Sequence, residues 1–242
     1  MKRVLLGIVV AGMVVWAGGV ANASVVDLVT NGDFASGIAS WTPFSSDGGG
    51  SSWVSGGVLS WSHVTGTSDG NAAGVYQVLN QSVSSYTSLA FSLDVMPSYQ
   101  TLAAPGWAGG GTEYPVHFQV NYTDTGDVVR NYEYGFYYSG NGGGVVPGAY
   151  VPQNTWFSAT YGEPFSMNLF LLPSTPKTIN SITIYGNGWD YSGSADNVRL
   201  LAGSPDVVPE PGTIVLIGMG LAGLMVRKRR TVTSHRSQVR NL

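Results

Sequence analysis

Between residues 24 and 204, the side chains suited to acid, base or metal chemistry are His63, His117, Glu113, Glu133, Glu163 and a scatter of aspartates. Gly66-Thr67-Ser68-Asp69-Gly70 spells a nucleophile elbow, and Asp94 and His117 follow it in hydrolase order. That elbow needs a strand before the serine and a helix after it. Here Asn71-Ala72-Ala73-Gly74 opens another strand pattern, so no triad is expected. His63 and His117 fall in two different strand patterns, where lone histidines are packing residues more often than zinc ligands. A glycosidase needs two facing carboxylates, and the three glutamates qualify by type only. The chain has no cysteine, which removes disulfides, thiolate metal sites and cysteine nucleophiles. Glycine runs at 48–50, 109–111 and 142–144 lack the lysine and helix of a phosphate loop and read as turns. The expectation is a protein that is not an enzyme.

Aromatic rings carry the stronger signal. Tyr132, Tyr134 and Tyr138 share one strand face with Phe136, while Glu133 and Tyr137 face the other way. Trp107 and Tyr114 sit in a long loop before a strand at 115–123. Rings of this kind beside hydrogen-bonding groups stack on sugars, so the candidate ligand-binding set is Trp107, Tyr114, Gln119, Arg130, Tyr134 and Tyr137. The plain alternative is that these rings form the core, as is expected of Trp41, Trp61 and Trp156.

The charge balance narrows the partners. From 24 to 208 the cations are Arg130, Lys177 and Arg199, against thirteen Asp and Glu residues. Such a domain repels phosphate backbones, which excludes nucleic acid as a partner.

Alternation sets the scaffold for these residues. Leu89, Phe91, Leu93 and Val95 form one period-two stripe, Val116, Phe118, Val120 and Tyr122 a second, and Met167, Leu169 and Leu171 a third. Further strands are expected at 57–64, 73–80, 128–138, 155–161, 178–186 and 195–201, and no helix between them. Short strands with turns such as Asp124-Thr125-Gly126-Asp127 predict an all-β fold, a two-sheet antiparallel jelly-roll sandwich over 24–204.

The two ends read as export signals. Lys2 and Arg3 precede an apolar run that closes on Ala21-Asn22-Ala23, the pattern of a signal peptide over 1–23 cut by signal peptidase before Ser24. Residues 205–211 are a linker containing Pro209-Glu210-Pro211. An uncharged apolar helix is expected over 212–226, and a basic cytoplasmic tail over 227–242 begins Arg227-Lys228-Arg229-Arg230. A helix of about fifteen residues is ~22 Å long against a hydrocarbon core of ~30 Å, so this transmembrane helix crosses only by thinning the bilayer.

The order Pro-Glu-Pro, short apolar helix, basic cluster closely resembles the PEP-CTERM sorting signal of Gram-negative bacteria. The resemblance implies an exosortase as partner, which recognises Pro209, Glu210 and Pro211 and cuts there. The product then passes from the inner membrane to the cell surface or extracellular matrix. The two prolines hold that segment extended, as a processing enzyme requires.

Leu28-Val29-Thr30-Asn31-Gly32-Asp33-Phe34, followed by Gly37 and Trp41, resembles the opening strand of galactose-binding-like carbohydrate-binding modules. Ala195-Asp196-Asn197-Val198-Arg199-Leu200 resembles their closing strand. The resemblance implies extracellular polysaccharide as a partner and a structural calcium ion facing Asp33 and Asp196; no other cofactor is expected. Ala35 stands where relatives carry an acidic residue. The functional expectation is a non-catalytic surface or matrix protein whose sandwich contacts polysaccharide. A self-assembling surface protein is the second reading and a secreted glycan hydrolase the third.

Overall fold

In the computed structural model the described residues are 24–46, 49–64, 71–101, 113–140, 146–159, 167–169 and 172–204. The leader, the Pro-Glu-Pro segment, the apolar span and the basic tail lie outside them. Among the described residues, no helix is long and apolar enough to cross a membrane.

Among the described residues thirteen strands follow one another in chain order. They are β1 (Val25–Asp27), β2 (Thr42–Ser45), β3 (Ser51–Ser55), β4 (Val58–His63), β5 (Asn71–Ser82), β6 (Ser88–Gln100) and β7 (Tyr114–Asp124). After these come β8 (Val129–Tyr137), β9 (Gly148–Tyr150), β10 (Phe157–Ala159), β11 (Met167–Asn168), β12 (Pro176–Gly188) and β13 (Tyr191–Gly203). One sheet has the order β10-β6-β13-β4-β3, with β1 added on β13 and β11 on β6; the other runs β2-β5-β12-β7-β8-β9. Among the described residues all pairings are antiparallel except β8 with β9. From β4 to β7 the chain changes sheet at every strand.

The stripes lie where their periodicity puts them. Leu89, Phe91, Leu93 and Val95 of β6 meet Val116, Phe118, Val120 and Tyr122 of β7 in the buried cluster between the sheets, together with Ile179, Ile182 and Ile184 of β12. Phe91 and Phe118 lie 4.7 Å apart between centroids, inside the usual range for an aromatic pair. Of the third stripe, Leu169 is fully buried, and Leu171 lies outside the described residues.

Trp61 and Trp41 are core residues as expected, but Trp156 is 43% exposed. It directly precedes the three-residue strand β10, where alternation turns Phe157 towards the core and leaves its neighbour outside. The Gly-x-Ser-x-Gly stretch, residues 66–70, lies outside the described residues, and the described chain resumes at Asn71 as strand β5 where an elbow requires a helix.

The opening motif is a loop, not a strand, and Asn31 organises it. Its amide donates to the carbonyls of Gly37 (2.9 Å) and Ala39 (2.8 Å), and its side-chain oxygen accepts from the Ser36 N–H at 3.0 Å. The Trp41 indole returns a bond to the Asn31 carbonyl at 3.0 Å and its ring packs on Phe34. Gln77 of β5, buried beneath, bonds Thr30 through both ends of its amide. Gly32 faces the β13 backbone so closely that a Cβ there would lie 1.9 Å from the Val198 carbonyl oxygen.

Candidate functional site

The outer face of the six-stranded sheet is set by the same alternation that builds the core. Because Val75, Ile184 and Phe118 point inward, Tyr76, Tyr185, Thr183 and Gln119 point outward. The register aligns Thr42, Tyr76, Thr183, Gln119 and Glu133 in one row across five strands, and Phe44, Gly74, Tyr185, His117 and Gly135 in the next. Phe44, Tyr76, Gln119, Thr183 and Tyr185 line an open cleft of about 460 Å³. Phe44 lies 6.3 Å from Tyr76 and 6.1 Å from Tyr185, so three rings wall one half of it.

The other half is polar. One oxygen of Glu133 accepts from the side-chain amides of Gln119 and of Asn131, the latter at 2.6 Å. Asn121 donates to the Gln119 side-chain oxygen at 3.3 Å and to the Ser181 hydroxyl at 3.1 Å. The second Glu133 oxygen lies 3.8 Å from His117 Nε2, beyond hydrogen-bond distance. His117 is fully buried between Tyr185, 4.5 Å away, and Tyr114, 5.7 Å away, and neither ring nitrogen has a hydrogen-bond partner. Burial lowers its pKa to about 3, so the imidazole is neutral. Burial, and then Glu133, raises that of Tyr185, which stays a phenol.

The expected binding residues separate on this frame. Gln119 lines the cleft, and Tyr137 lies on the same outer face near the exposed Tyr150. Tyr114 does not sit in a loop: it begins β7 and is fully buried. A register shift between Tyr185 and Asn187 of β12 marks a bulge opposite Pro115 and Val116, which turns Tyr114 to the outer face. Its ring fills the space over Gly135 and Gly148, paired across β8 and β9; a Cβ on Gly135 would meet it at 2.1 Å. Its hydroxyl donates to the Val146 carbonyl at 2.7 Å, and burial pushes its pKa up to about 12. A tyrosine so enclosed presents no face to a sugar.

Tyr134 also departs from expectation. It pairs with Phe118 and packs inward on the core, as do Tyr132 and Phe136. Arg130 leaves the cleft to pair with Asp124 at 3.0 Å in the β7–β8 turn. There the Val128 N–H, then Arg130, then the Gly126 N–H hold the Asp124 carboxyl below the usual range. Tyr138 ties the sheets together, its hydroxyl accepting from the Gln100 N–H at 2.9 Å. Trp107 lies outside the described residues, as do Glu163 and the sorting and leader residues. Phe44, Tyr76, Thr183 and Tyr185 were missed from sequence. Tyr76 and Tyr185 carry a readable signal, since each stands one position out of phase with a buried aliphatic stripe.

The expected calcium residues lie by a groove of about 190 Å³ lined by Asp27, Asn31, Asp33, Asn197 and Arg199. Asp33 accepts from the Ala35 N–H at 3.2 Å and Asp196 from the Asn197 N–H at 2.7 Å, which are turn-capping roles. Asp27 accepts from the Val29 and Leu200 N–H groups, both at 3.1 Å. Burial, then Asp94 and Asp33, raises the Asp196 pKa. Among the described residues no three acidic or imidazole side chains converge as metal ligands, so side chains alone do not make a calcium cage here. His63 is structural: its Nδ1 bonds the Trp189 carbonyl at 2.7 Å and its ring stacks on Tyr191.

Solved structures similar to the chain include a family 11 carbohydrate-binding module from a cellulosomal cellulase of Clostridium thermocellum. It is 16% identical, with 74% of this chain and 94% of that one covered and a TM-score of 0.39. The family 11 module in complex with a β-1,3-1,4-mixed-linked tetrasaccharide is 19% identical, with 69% and 91% covered and a TM-score of 0.35. A family 16 carbohydrate-binding module is 14% identical, with 72% and 98% covered and a TM-score of 0.39. No curated protein matches the sequence. Residues 207–230 match the PEP-CTERM protein-sorting motif, and the chain is thereby identified as one bearing a tail that implies export to the envelope or surface.

Proposed function

We propose that this is a non-catalytic cell-surface or extracellular-matrix protein whose jelly-roll sandwich binds extracellular polysaccharide in the cleft over β2, β5, β12 and β7. The observation that carries the reading is the pairing of three aromatic rings, Phe44, Tyr76 and Tyr185, with a row of amide, hydroxyl and carboxylate groups on one open sheet face. Rings take the apolar faces of sugars, and the polar row takes their hydroxyls. The side chains of that row are already oriented by bonds to one another, which lowers the ordering cost of binding. A non-catalytic role is supported by the structural duties of two acidic groups: Asp124 holds a turn, and one oxygen of Glu133 holds two amides.

Sorting belongs to the same proposal. An exosortase recognises Pro209-Glu210-Pro211 and cuts the chain there after export, releasing the sandwich from its tail. Mass spectrometry of the mature product then finds a C-terminus near Pro209 and no peptide from 227–242; an intact C-terminus overturns this part. The binding part is tested by affinity electrophoresis against a panel of polysaccharides. Retardation by at least one polymer, reduced in Tyr76→Ala, is the expected result.

A further inference from the structure

We infer that the cleft prefers a polysaccharide carrying free amino sugars, whose ammonium groups seat between the Glu133 carboxylate and the Tyr185 ring. The inference rests on the proposed polysaccharide site and adds to it the charge of the ligand.

Glu133 is the carboxylate of this face that adjoins the cleft, and its side chain is only 17% exposed. One of its oxygens is engaged by Gln119 and Asn131, both uncharged donors. The other has no hydrogen-bond donor: His117 Nε2 stops 3.8 Å short of it. His117 is enclosed between two tyrosines and neutral, so it supplies no countercharge. None of the domain's three cations supplies one either. Arg130 is paired with Asp124 and Lys177 with Asp127, while Arg199 belongs to β13 in the opposite sheet.

A half-buried carboxylate with two neutral donors and no cation is an arrangement that a bound cation completes. The orphaned His117 nitrogens, buried at the same spot, are a second sign that the outer face lacks a polar partner here. The Tyr185 ring, which lines the cleft two strands from Glu133, favours the same charge, since a tyrosine face attracts an ammonium by cation–π interaction. A neutral hydroxyl also bonds a carboxylate, but less strongly than an ammonium does. Uronate or sulfated polymers meet Glu133 and an acidic domain surface and are repelled.

The test measures binding of the full chain, purified in detergent, to a glucosamine polymer, its fully N-acetylated counterpart, a neutral glucan and a polyuronate. The expected result is about tenfold tighter binding to the glucosamine polymer than to the acetylated one, with the advantage shrinking as salt rises. Glu133→Gln removes that advantage, bringing the affinities for the glucosamine polymer and its acetylated counterpart together, and Glu133→Asp retains part of it. Near-UV circular dichroism of both variants establishes that they fold. Equal affinity for the amino and acetylated polymers, or an advantage that survives in Glu133→Gln, overturns the inference and leaves polysaccharide binding standing. Absence of binding to all four polymers overturns both.

Discussion

The Trp61 indole in β4 of one sheet donates a 2.9 Å hydrogen bond to the Pro115 carbonyl in β7 of the other. This contact crosses the core at the bulge that turns Tyr114 outward, so it fixes the register on which the cleft depends. Trp61→Phe keeps most of the apolar volume but orphans a buried carbonyl, and we expect a loss of about 1–3 kcal/mol in urea denaturation. Trp61→Ala adds a large cavity and should cost about 3–5 kcal/mol. A Trp61→Phe variant as stable as wild type would show that the hydrogen bond adds nothing.

Asn31 is predicted to matter for structure. Its φ of 53° and three side-chain bonds to the 36–39 loop both favour asparagine. Asn31→Gly keeps the backbone conformation and loses the side chain, so it should cost about 2–3 kcal/mol from the lost bonds. Asn31→Ala adds the strain of a left-handed backbone and should be worse by about 1 kcal/mol. Thermal melts of the two variants side by side separate these contributions.

Asp196 gives a prediction with a defined sign. Its folded pKa is raised by burial and by Asp94 and Asp33, so the folded state holds its proton more tightly than the unfolded state. The stability it contributes is therefore present below the ordinary carboxylate pKa and is lost as pH rises through the raised value. In the presence of a chelator Asp196→Asn should melt higher than wild type at neutral pH. Added calcium tests the metal reading in the same assay: a calcium-dependent rise in wild type that Asp196→Asn lacks would establish the ion. No rise in either protein would leave Asp33 and Asp196 in turn-capping roles.

His117 has the opposite dependence. Its pKa is about 3 in the folded protein against an ordinary value near 6.5, so its stability contribution is present above about pH 6.5 and is lost as pH falls towards 3. Replacement by phenylalanine should flatten the stability profile across that window, measured by denaturation at closely spaced pH values. A profile as steep as that of wild type would place the acid sensitivity elsewhere.

The sandwich was legible because its long strands are amphipathic: the stripes at 89–95 and 116–122 each hold period two without interruption. The short edge strands β2, β3 and β9 were not, since Thr42–Ser45 and Gly148–Tyr150 are too brief to show a period. Tyr114 was misplaced because a bulge breaks alternation, and periodicity cannot register a residue added to one strand. The signal lay elsewhere, in glycines inside strands at 135 and 148, which mark where another group approaches the backbone. Tyr134 was misread because an aromatic in a half-buried strand suits either face, and only the pairing with Phe118 decides it. The cleft itself brings together residues from β2, β5, β7 and β12, whose adjacency depends on strand order and has no trace in local sequence.

The central claim is that the aromatic cleft binds polysaccharide, and the most direct measurement is affinity electrophoresis of the wild type beside Tyr76→Ala and Phe44→Ala. Both residues are outside the buried core, so neither change should unfold the protein. The account predicts that a polymer retards the wild type and that each variant loses about tenfold or more in affinity, the scale of one lost stacking contact. Wild-type mobility unchanged by every polymer, or variants retarded as strongly as wild type, would contradict it.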